Sequence, residues 1–279
     1  MASARRVAVV TGSNKGIGFA IVRGLCKQFD GDVYLTARDE GRGKNAVEAL
    51  KKEGLNPLFH KLDISDPTSI QNLRDFLQKQ YGGLDLLVNN AGIAYKVDSP
   101  APFAEQAELT LKVNFWGTLN VCDALFPLLR PHARVVNMSS VGSTITYKGC
   151  SDAIKHRIKD PHITMDQIKD LMREFEFAAK ANQVEEKGWL KSAYKTSNVG
   201  VRVMSFIQQR ELAKDIQRPD VIVNSCCPGY VATDMSSHKG TKTIDEGAVT
   251  PLYLALLPPN VVSPKGEFVS EKMVEHWPS

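Results

Sequence analysis

The sequence predicts an α/β protein, a doubly wound parallel sheet with helices on both faces. First, short apolar runs alternate along the chain with longer segments in which apolar residues recur at helical spacing, as parallel strands and their crossover helices require. Second, polar and glycine-rich sequences follow several of these runs, at the carboxyl strand ends where such sheets bind ligands. The 279 residues, of which 43% are hydrophobic and 24% charged, suit a single domain spanning 1–279.

Strand and helix signals alternate in a regular order. The predicted strands are Val7–Val10, Asp32–Ala37, Pro57–Leu62, Leu84–Val88, Arg134–Met138, Val221–Ser225 and a last one near Gly266–Val269. The predicted helices are Phe19–Phe29, Glu40–Glu53, one beginning at Asp66-Pro67-Thr68, Phe103–Leu129, Ser192–Leu212 and one near Glu246–Leu256. This alternation is typical of parallel strands joined by right-handed helical crossovers.

Residues 144–190 interrupt the alternation and are largely polar. Thr164 and Gln167 form a capping-box pattern that marks the start of a helix. The apolar residues of this helix share one face, at helical spacing: Ile168, Leu171, Met172 and Phe175. We therefore predict a helical insertion that packs on the main sheet and does not form a second domain.

Composition and charge exclude several classes of protein. The net charge of +4 at neutral pH is small, so we predict no nucleic-acid or membrane partner. The apolar run after Arg6 is too short for a signal-peptide core, and no segment approaches ~20 apolar residues. The five cysteines and six histidines lack metal-ligand spacing, so we predict no metal site, reduced thiols and a cytoplasmic location.

The segment Val7–Gly18, VAVVTGSNKGIG, joins a buried strand to a helix start through a glycine turn. Gly12 permits the tight turn, Gly16 allows phosphates to approach the backbone, and Gly18 lets the helix pack closely. The backbone N–H groups and the positive end of the helix dipole suit a pyrophosphate. The spacing G-x-x-x-G-x-G is weak evidence alone, and a plain turn is the alternative.

Two basic residues suggest which dinucleotide binds. The second strand ends at Ala37, where an acidic residue would select NAD, and Arg38 follows at once. Arg38, with Lys15 in the glycine turn, suits the 2′-phosphate of NADP(H), whereas solvated helix-start residues are the alternative. Asp63 ends the third strand, where it either bonds the adenine amino group or caps a loop.

Amide side chains mark two further positions. The fourth strand ends in Asn89-Asn90-Ala91-Gly92, whose small residues let a second loop pass under a cofactor. Asn114 lies within a predicted helix, where its side chain competes for backbone hydrogen bonds, and this misfit hints at function. A generic turn and a helix–helix hydrogen bond are the structural alternatives.

With these residues placed, the chain resembles the short-chain dehydrogenase/reductase family over essentially its whole length. TGSNKGIG, NNAG, the Asn114 helix, a strand ending in Ser140, Tyr194 and PGYVATDM stand in the family's order. Within the family it is most similar to the cytosolic NADPH-dependent carbonyl reductases. That similarity lies in the insertion before Tyr194, the Cys-Cys-Pro-Gly run at 226–229 and the ending GEFVSEK.

The resemblance implies a Rossmann-like fold and hydride transfer from NADPH to a ketone, aldehyde or quinone carbonyl. It implies that Ser140 bonds the substrate oxygen, Tyr194 donates a proton and Asn114 holds a water in the proton relay. The cofactor-binding residues that it implies are Gly12, Asn14, Lys15, Gly16, Ile17, Gly18, Arg38, Asp63, Ile64, Asn90, Tyr194, Asn198, Pro228, Gly229, Val231, Thr233, Asp234 and Met235. Val141 and Tyr230 would contact substrate. The insertion would cover helices that other members use to oligomerise, which implies a monomer.

The chain departs from the family at one position of the site. Four residues after the tyrosine the family has a lysine, whereas this chain has Asn198. We count Asn198 among the predicted catalytic residues in place of that lysine. Lys195 points about 100° away from Tyr194, most simply to solvent, and Lys191 precedes the regular helix. The missing charge would lower the tyrosine pKa by about 1–3 units, which predicts a reductase slowed roughly 10- to 1000-fold. An NADPH-binding protein with vestigial catalysis is the alternative.

Overall fold

The computed structural model describes residues 5–278, which form an eight-stranded sheet. Its strands are β1 Val7–Val10, β2 Asp32–Ala37, β3 Leu58–Lys61, β4 Leu84–Asn89, β5 Leu129–Met138, β6 Ile222–Cys227, β7 Phe268–Ser270 and β8 Met273–Val274. Their order is β3-β2-β1-β4-β5-β6-β7-β8, with every pair parallel except β7 and β8. The order reverses between β1 and β4, so the crevice for a ligand lies at the carboxyl ends of these two strands.

Helices cover both faces of this sheet. They are α1 Gly16–Gln28, α2 Glu40–Lys52, α3 Pro67–Tyr81, α4 Phe103–Leu111, α5 Thr118–Leu125, α6 Gly142–Gly149, α7 Asp152–Lys159, α8 Met165–Lys180, α9 Ala193–Leu212 and α10 Ile244–Ala255. In β1, Ala8 and Val10 pack with α1 and α10, whereas Val7 and Val9 pack on the opposite face with α3 and α5. Among the described residues, no helix has both the length and the apolar character needed to cross a bilayer.

The structure confirms the seven predicted strands to within a few residues, apart from the earlier start of β5, and adds β8. The prediction of one helix over Phe103–Leu129 was wrong. That segment contains α4, a π-helical turn at Lys112–Gly117, α5 and a 3₁₀ turn at Phe126–Leu128. Pro127 lacks the N–H that would continue a helix, and the chain enters β5 at Leu129. The hydrophobic period alone did not reveal the change from α- to π-helical bonding.

The insertion contains three helices, α6, α7 and α8, of which α8 alone was predicted. Its capping box is confirmed, because Thr164 Oγ1 accepts a hydrogen bond from Gln167 N (3.2 Å) and Gln167 Oε1 accepts one from Thr164 N (2.8 Å). The apolar face of α8 packs on α4 and α9 and not on the sheet, which corrects the expected docking. The reason is that α9, buried on nearly all sides, lies between the insertion and the strands.

Gly200 of α9 lies where the π-helical turn and α8 approach it most closely. A Cβ there would lie 2.7 Å from Phe115 Cδ2 and 2.8 Å from Met172 Sδ. We expect Gly200→Ala to lower the free energy of unfolding by about 1–3 kcal/mol, because packed neighbours must move. Urea unfolding measures the change. Gly41→Ala in α2 is the control; its nearest atom would lie at 3.4 Å, and equal losses in both variants would contradict the prediction.

Candidate active site

A glycine turn at the carboxyl end of β1 forms one wall of the site. Gly12 and Gly16 both have φ of +59°, a region that glycine adopts without steric cost. A Cβ on Gly12 would lie 2.7 Å from Ala91 Cα, and one on Gly18 would lie 2.4 Å from Asn90 Nδ2. The turn is therefore a backbone cradle that no larger residue could line, placed at the N-terminus of α1, where the helix dipole favours phosphate.

The loop after β4 is hydrogen-bonded to this turn. Asn90 Nδ2 donates to the carbonyl oxygens of Thr11 and Gly12, both at 3.0 Å. Thr11 Oγ1 accepts hydrogen bonds from the backbone N–H groups of Asn90 and Ala91, also at 3.0 Å. The TGSNKGIG and NNAG motifs, predicted to meet at the strand ends, thus form one bonded unit.

Arg38 and Asp63 lie side by side after β2 and β3. Arg38 is exposed. Asp63 Oδ1 accepts hydrogen bonds from Ser65 N (2.9 Å) and Ser65 Oγ (2.6 Å), so the carboxylate caps its loop. Partial burial acts to raise the pKa of Asp63, but the bonds from Ser65 and the charge of Arg38 hold it below its usual value. The loop cap is present, and the adenine contact stays a prediction.

Lys15 of the glycine turn contacts the loop that follows β6. Its Nζ lies 2.5 Å from Asp234 Oδ2, and both side chains are largely exposed. Thr233 Cγ2 lies 3.5 Å from the place of a Cβ on Gly16. The PGYVATDM motif therefore lies against the glycine turn, as its predicted role beside a cofactor requires.

Asn114 lies in the π-helical turn and is only 8% exposed. Its Oδ1 accepts a hydrogen bond from Ile93 N (2.8 Å), and its Nδ2 donates to Ile93 O (2.9 Å) and Ser197 Oγ (3.0 Å). The amide therefore joins the loop after β4 to α9, and both of its protons are used. The helix–helix hydrogen bond considered as an alternative is present; the bound water stays a prediction.

Tyr194, in the first turn of α9, meets Ser140 at the end of β5. The ring is partly exposed. Burial of the hydroxyl raises the pKa of Tyr194, and the polar side chains of Asn198 and Ser140 oppose that rise. Ser140 Oγ also accepts a hydrogen bond from Gly142 N (3.1 Å). The fold thus brings together three of the predicted catalytic side chains.

Asn198 lies one helical turn after Tyr194 and is 6% exposed. Its side-chain Nδ2 donates a hydrogen bond to the backbone oxygen of Tyr194 at 2.8 Å. The backbone oxygen of Asn198 accepts a hydrogen bond from Ser139 Oγ at 3.0 Å. A lysine in this position would bring a positive charge toward the phenol, whereas the amide brings hydrogen bonds without charge. The neighbourhood of Tyr194 is polar but lacks that cation.

The two nearby lysines are directed to other elements. The stem of Lys195 packs against α6, with its Cγ 3.1 Å from the place of a Cβ on Gly142, and is partly buried. The expectation that Lys195 simply faces solvent was therefore wrong, because α6 covers that side of α9. Lys191 Nζ lies 5.5 Å from the centroid of the Phe103 ring. Neither lysine occupies the position of Asn198.

The loop after β6 begins with a buried thiol and a left-handed glycine. Cys227 is buried. Gly229 has φ of +85°, and its N–H donates to Cys227 Sγ at 3.3 Å. Ala232 N donates to Lys242 O at 2.8 Å, which closes the loop at its base. The segment Pro228–Met235 is thereby held beside the site.

Three large apolar side chains are exposed in the segments that flank the site. Val141 is 42% exposed, Tyr230 54% and Met235 42%. Exposed apolar groups beside a few converging polar ones are typical of a pocket for a largely apolar ligand. Val141 and Tyr230, the predicted substrate residues, are thus available for contact.

Four residues that build the site were not predicted. Thr11 and Ser139 position the loop after β4 and α9, and Ser197 Oγ donates to Tyr194 O at 2.7 Å while it accepts from Asn114. Lys96 Nζ donates to Ser237 Oγ at 2.9 Å and so connects the two loops that border the site. Thr11 precedes Gly12 and Ser139 precedes Ser140, so their position next to predicted site residues could have identified them. No feature of the sequence marks Lys96.

The fold and this site together define a dinucleotide-binding α/β protein. The family model described as short chain dehydrogenase matches residues 6–152. The chain is 52% identical over 277 residues to carbonyl reductase [NADPH] 1 of Homo sapiens, covering 99% of this chain and 100% of that protein. It is 51% identical to carbonyl reductase [NADPH] 3 of Rattus norvegicus, with the same coverage.

A solved structure agrees with this result. Salutaridine reductase from Papaver somniferum superposes with a TM-score of 0.85 and 32% identity, covering 95% of this chain and 99% of that one. The chain therefore belongs to the short-chain dehydrogenase family. The resemblance drawn from the motifs is confirmed, as is the Rossmann-like sheet.

The contact between Gly12 and Ala91 predicts the outcome of a substitution. We expect Gly12→Ala to weaken NADPH binding at least about 10-fold, because the Cβ would push the loop after β4 away from the cradle and strain a left-handed residue. Quenching of tryptophan fluorescence by NADPH measures the affinity.

Gly82→Ala, at the C-terminus of α3, is the matched control. Gly82 has φ of +67°, and a Cβ there would meet nothing within 4 Å. The two variants share the backbone strain of about 1–2 kcal/mol, so only the contact distinguishes them. An equal loss of NADPH affinity in both variants would refute the role assigned to the close approach.

Proposed function

We propose that this protein reduces ketone, aldehyde or quinone carbonyls to alcohols with NADPH as cofactor. The observation that carries the proposal is the bond from Ser139 Oγ to the backbone oxygen of Asn198 at 3.0 Å, which holds the first turn of α9, with Tyr194, against the strand end that carries Ser140. It is supported by 52% identity over 277 residues to a carbonyl reductase that uses NADPH.

The glycine cradle and its neighbouring loops fit NADPH. The cradle would take the pyrophosphate, and Lys15 and Arg38 would pair with the 2′-phosphate, so Lys15 would exchange its contact with Asp234 for a phosphate. Asp63 would lie beside the adenine, and the segment Pro228–Met235 beside the nicotinamide. When bound, NADPH supplies a hydride to the carbonyl carbon.

Two hydroxyl groups of the chain act on the carbonyl oxygen. Ser140 would donate a hydrogen bond to it and stabilise the negative charge that develops during reduction. Tyr194 would transfer its proton to the same oxygen as a general acid. The fixed bond from Gly142 N to Ser140 Oγ orients that hydroxyl so that its proton is free for substrate.

Asn114 and Asn198 would act through the tyrosine. Asn114 anchors Ser197, which in turn bonds the backbone of Tyr194, and a water held at the π-helical turn would return the proton. Asn198 would offer a hydrogen bond to the ribose without supplying charge. The proton of the phenol is therefore retained more tightly than it would be beside a lysine.

Steady-state NADPH oxidation with an aromatic aldehyde and with a quinone, from pH 6 to 9, tests the function. We expect turnover in the wild type, and a loss of kcat of at least about 100-fold in Ser140→Ala and Tyr194→Phe, because each removes a group that acts on the reacting oxygen. The affinity of Ser140→Ala for NADPH should change by no more than about 3-fold, because Ser140 is not among the residues expected to bind the cofactor. Tyr253→Phe on α10 is the control for the tyrosine. Absence of turnover with several substrates at every pH would reject the reductase.

A second candidate, an NADPH-binding protein with vestigial catalysis, is favoured by Asn198. It requires that NADPH quench tryptophan fluorescence while no substrate is turned over, and that Asn198→Lys create activity. The two candidates therefore differ in the wild type itself, where the reductase turns over and the binding protein does not.

The pH dependence of Asn198→Lys gives a signed prediction. Reduction needs the protonated phenol, and the pKa of Tyr194 is raised above its ordinary value, so wild-type kcat/KM for the carbonyl should stay level from pH 6 to 9. An ammonium beside the phenol lowers its pKa by about 1–3 units. The variant should be faster at pH 6–7 and lose activity above its new pKa.

Asn198→Gln, which adds length without charge, is the control and should keep the level profile. Profiles of kcat/KM measured at saturating NADPH decide the matter. A level profile in Asn198→Lys, or a decline in the wild type below pH 9, would contradict the assignment.

We further propose that the chain acts as one domain and as a cytoplasmic monomer. The strands of the single sheet come from most of the chain, and the insertion covers α4 and α9. Light scattering after gel filtration should give a mass near 30.8 kDa; a dimer mass would reject the monomer.

A further inference from the structure

The π-helical turn at Lys112–Gly117, which carries Asn114, has an uncommon backbone conformation that its neighbours must stabilise. Its i→i+5 hydrogen bonding is rare, and such turns occur mostly as single bulges at functional sites. On the inner side, Asn114 fixes the turn through Ile93 and Ser197. The outer side faces the insertion.

The insertion contacts the turn at the side chain of Trp116. Trp116 Nε1 donates a hydrogen bond to Glu176 Oε1 of α8 at 3.0 Å. The guanidinium of Arg173, one turn earlier on α8, lies 5.3 Å from the centroid of the Trp116 ring. Burial raises the pKa of Glu176, and the bond from Trp116 opposes that rise, so the carboxyl is a partly desolvated partner.

Asn114 and Trp116 are two residues apart and so project to roughly opposite sides of the helix. Between them, Phe115 is fully buried and packs on Gly200 of α9. A movement of Trp116 toward or away from α8 therefore shifts Asn114 relative to α9. Hydrogen bonds of 2.8–3.0 Å at Asn114 tolerate only a few tenths of an ångström before they weaken.

We propose that Trp116 and Glu176 are a positioning pair, through which the insertion sets Asn114, Ser197 and the backbone of Tyr194 for catalysis. The proposal rests on the catalytic roles given above to Asn114 and Tyr194. It assigns the insertion a part in the chemistry in addition to covering α4 and α9. Neither side chain touches the reacting atoms.

Glu176→Ala, Glu176→Gln and Glu174→Ala test the pair. Glu174 also lies on α8, where its carboxylate pairs with Arg157 at 2.6 Å, whereas the Trp116 donor is taken by Glu176. We expect Glu176→Ala to lower kcat about 10-fold, with a larger solvent isotope effect and NADPH affinity within about 2-fold of wild type, because misplacement slows proton transfer without removing binding. Glu176→Gln, which can still accept the bond from Trp116, should restore most of kcat. Glu174→Ala should match the wild type.

Hydrogen–deuterium exchange gives a readout that does not need activity. The Ile93 N–H donates to Asn114 Oδ1, so its exchange should become about 10-fold faster in Glu176→Ala and stay unchanged in Glu174→Ala. If Glu176→Ala folds poorly, Trp116→Phe takes its place as the test. It has a smaller aromatic ring and loses the donor, and the Ile93 N–H should again exchange about 10-fold faster.

The outcomes distinguish a failure of the positioning pair from a failure of the proposed reductase activity. An inactive wild type whose Ile93 exchange still responds to Glu176→Ala would reject the reductase and keep the structural link. Unchanged exchange and unchanged kcat in Glu176→Ala would overturn the positioning pair. So would an equal loss in Glu174→Ala, which would indicate a general weakening of α8.

Discussion

A single side-chain amide, that of Asn114, connects the parts of the site that sheet pairing alone leaves independent. It bonds both backbone groups of Ile93 and the hydroxyl of Ser197, so a loop at the sheet's switch point and the helix carrying the phenol share one anchor. The segment around it is held closely, because a Cβ on Gly117 would lie 2.9 Å from Ile64 O. With neighbours on three sides, the departure from α-helical bonding persists.

The same kind of polar connection attaches α9 to the sheet. Asn89 Nδ2 donates to Asn137 Oδ1 at 2.8 Å, and Asn137 Nδ2 donates to Ser205 Oγ at 2.9 Å, all three residues being buried. Together with Ser139 on Asn198, these bonds run from β4 and β5 into α9. Apolar packing tolerates sliding of a helix along a sheet, whereas directional bonds between buried groups fix its register. These buried hydrogen bonds therefore fix the position of Tyr194 along α9 relative to Ser140 at the end of β5.

The sequence predicted those features that a local signal marks. The glycines at 12, 16 and 18 were recognisable because the turn needs positive φ or close approach there, and the misfit of Asn114 marked a residue whose amide joins a loop to α9. The π-helical turn beside Asn114 was not predictable, since the apolar period hardly changes when one hydrogen bond shifts by a residue. The docking of α8 on α9 was not predicted either. A periodic apolar face shows that one side of a helix is covered, but it does not show which element covers it. Trp116 and Glu176 are 60 residues apart, and neither alone looks unusual.

Asn198 is best understood through the direction of proton transfer. In reduction the phenol must begin protonated, so a group that retains its proton more tightly is a weaker acid that stays competent to higher pH. In the reverse reaction the phenolate must accept a proton, and the same change confines that competence to more alkaline solution. The equilibrium between carbonyl and alcohol is fixed by the reactants and cannot depend on Asn198. Under the proposed mechanism, an amide in place of the charge would alter the rate and the working pH range and would leave the roles of Ser140 and Tyr194 in reduction unchanged.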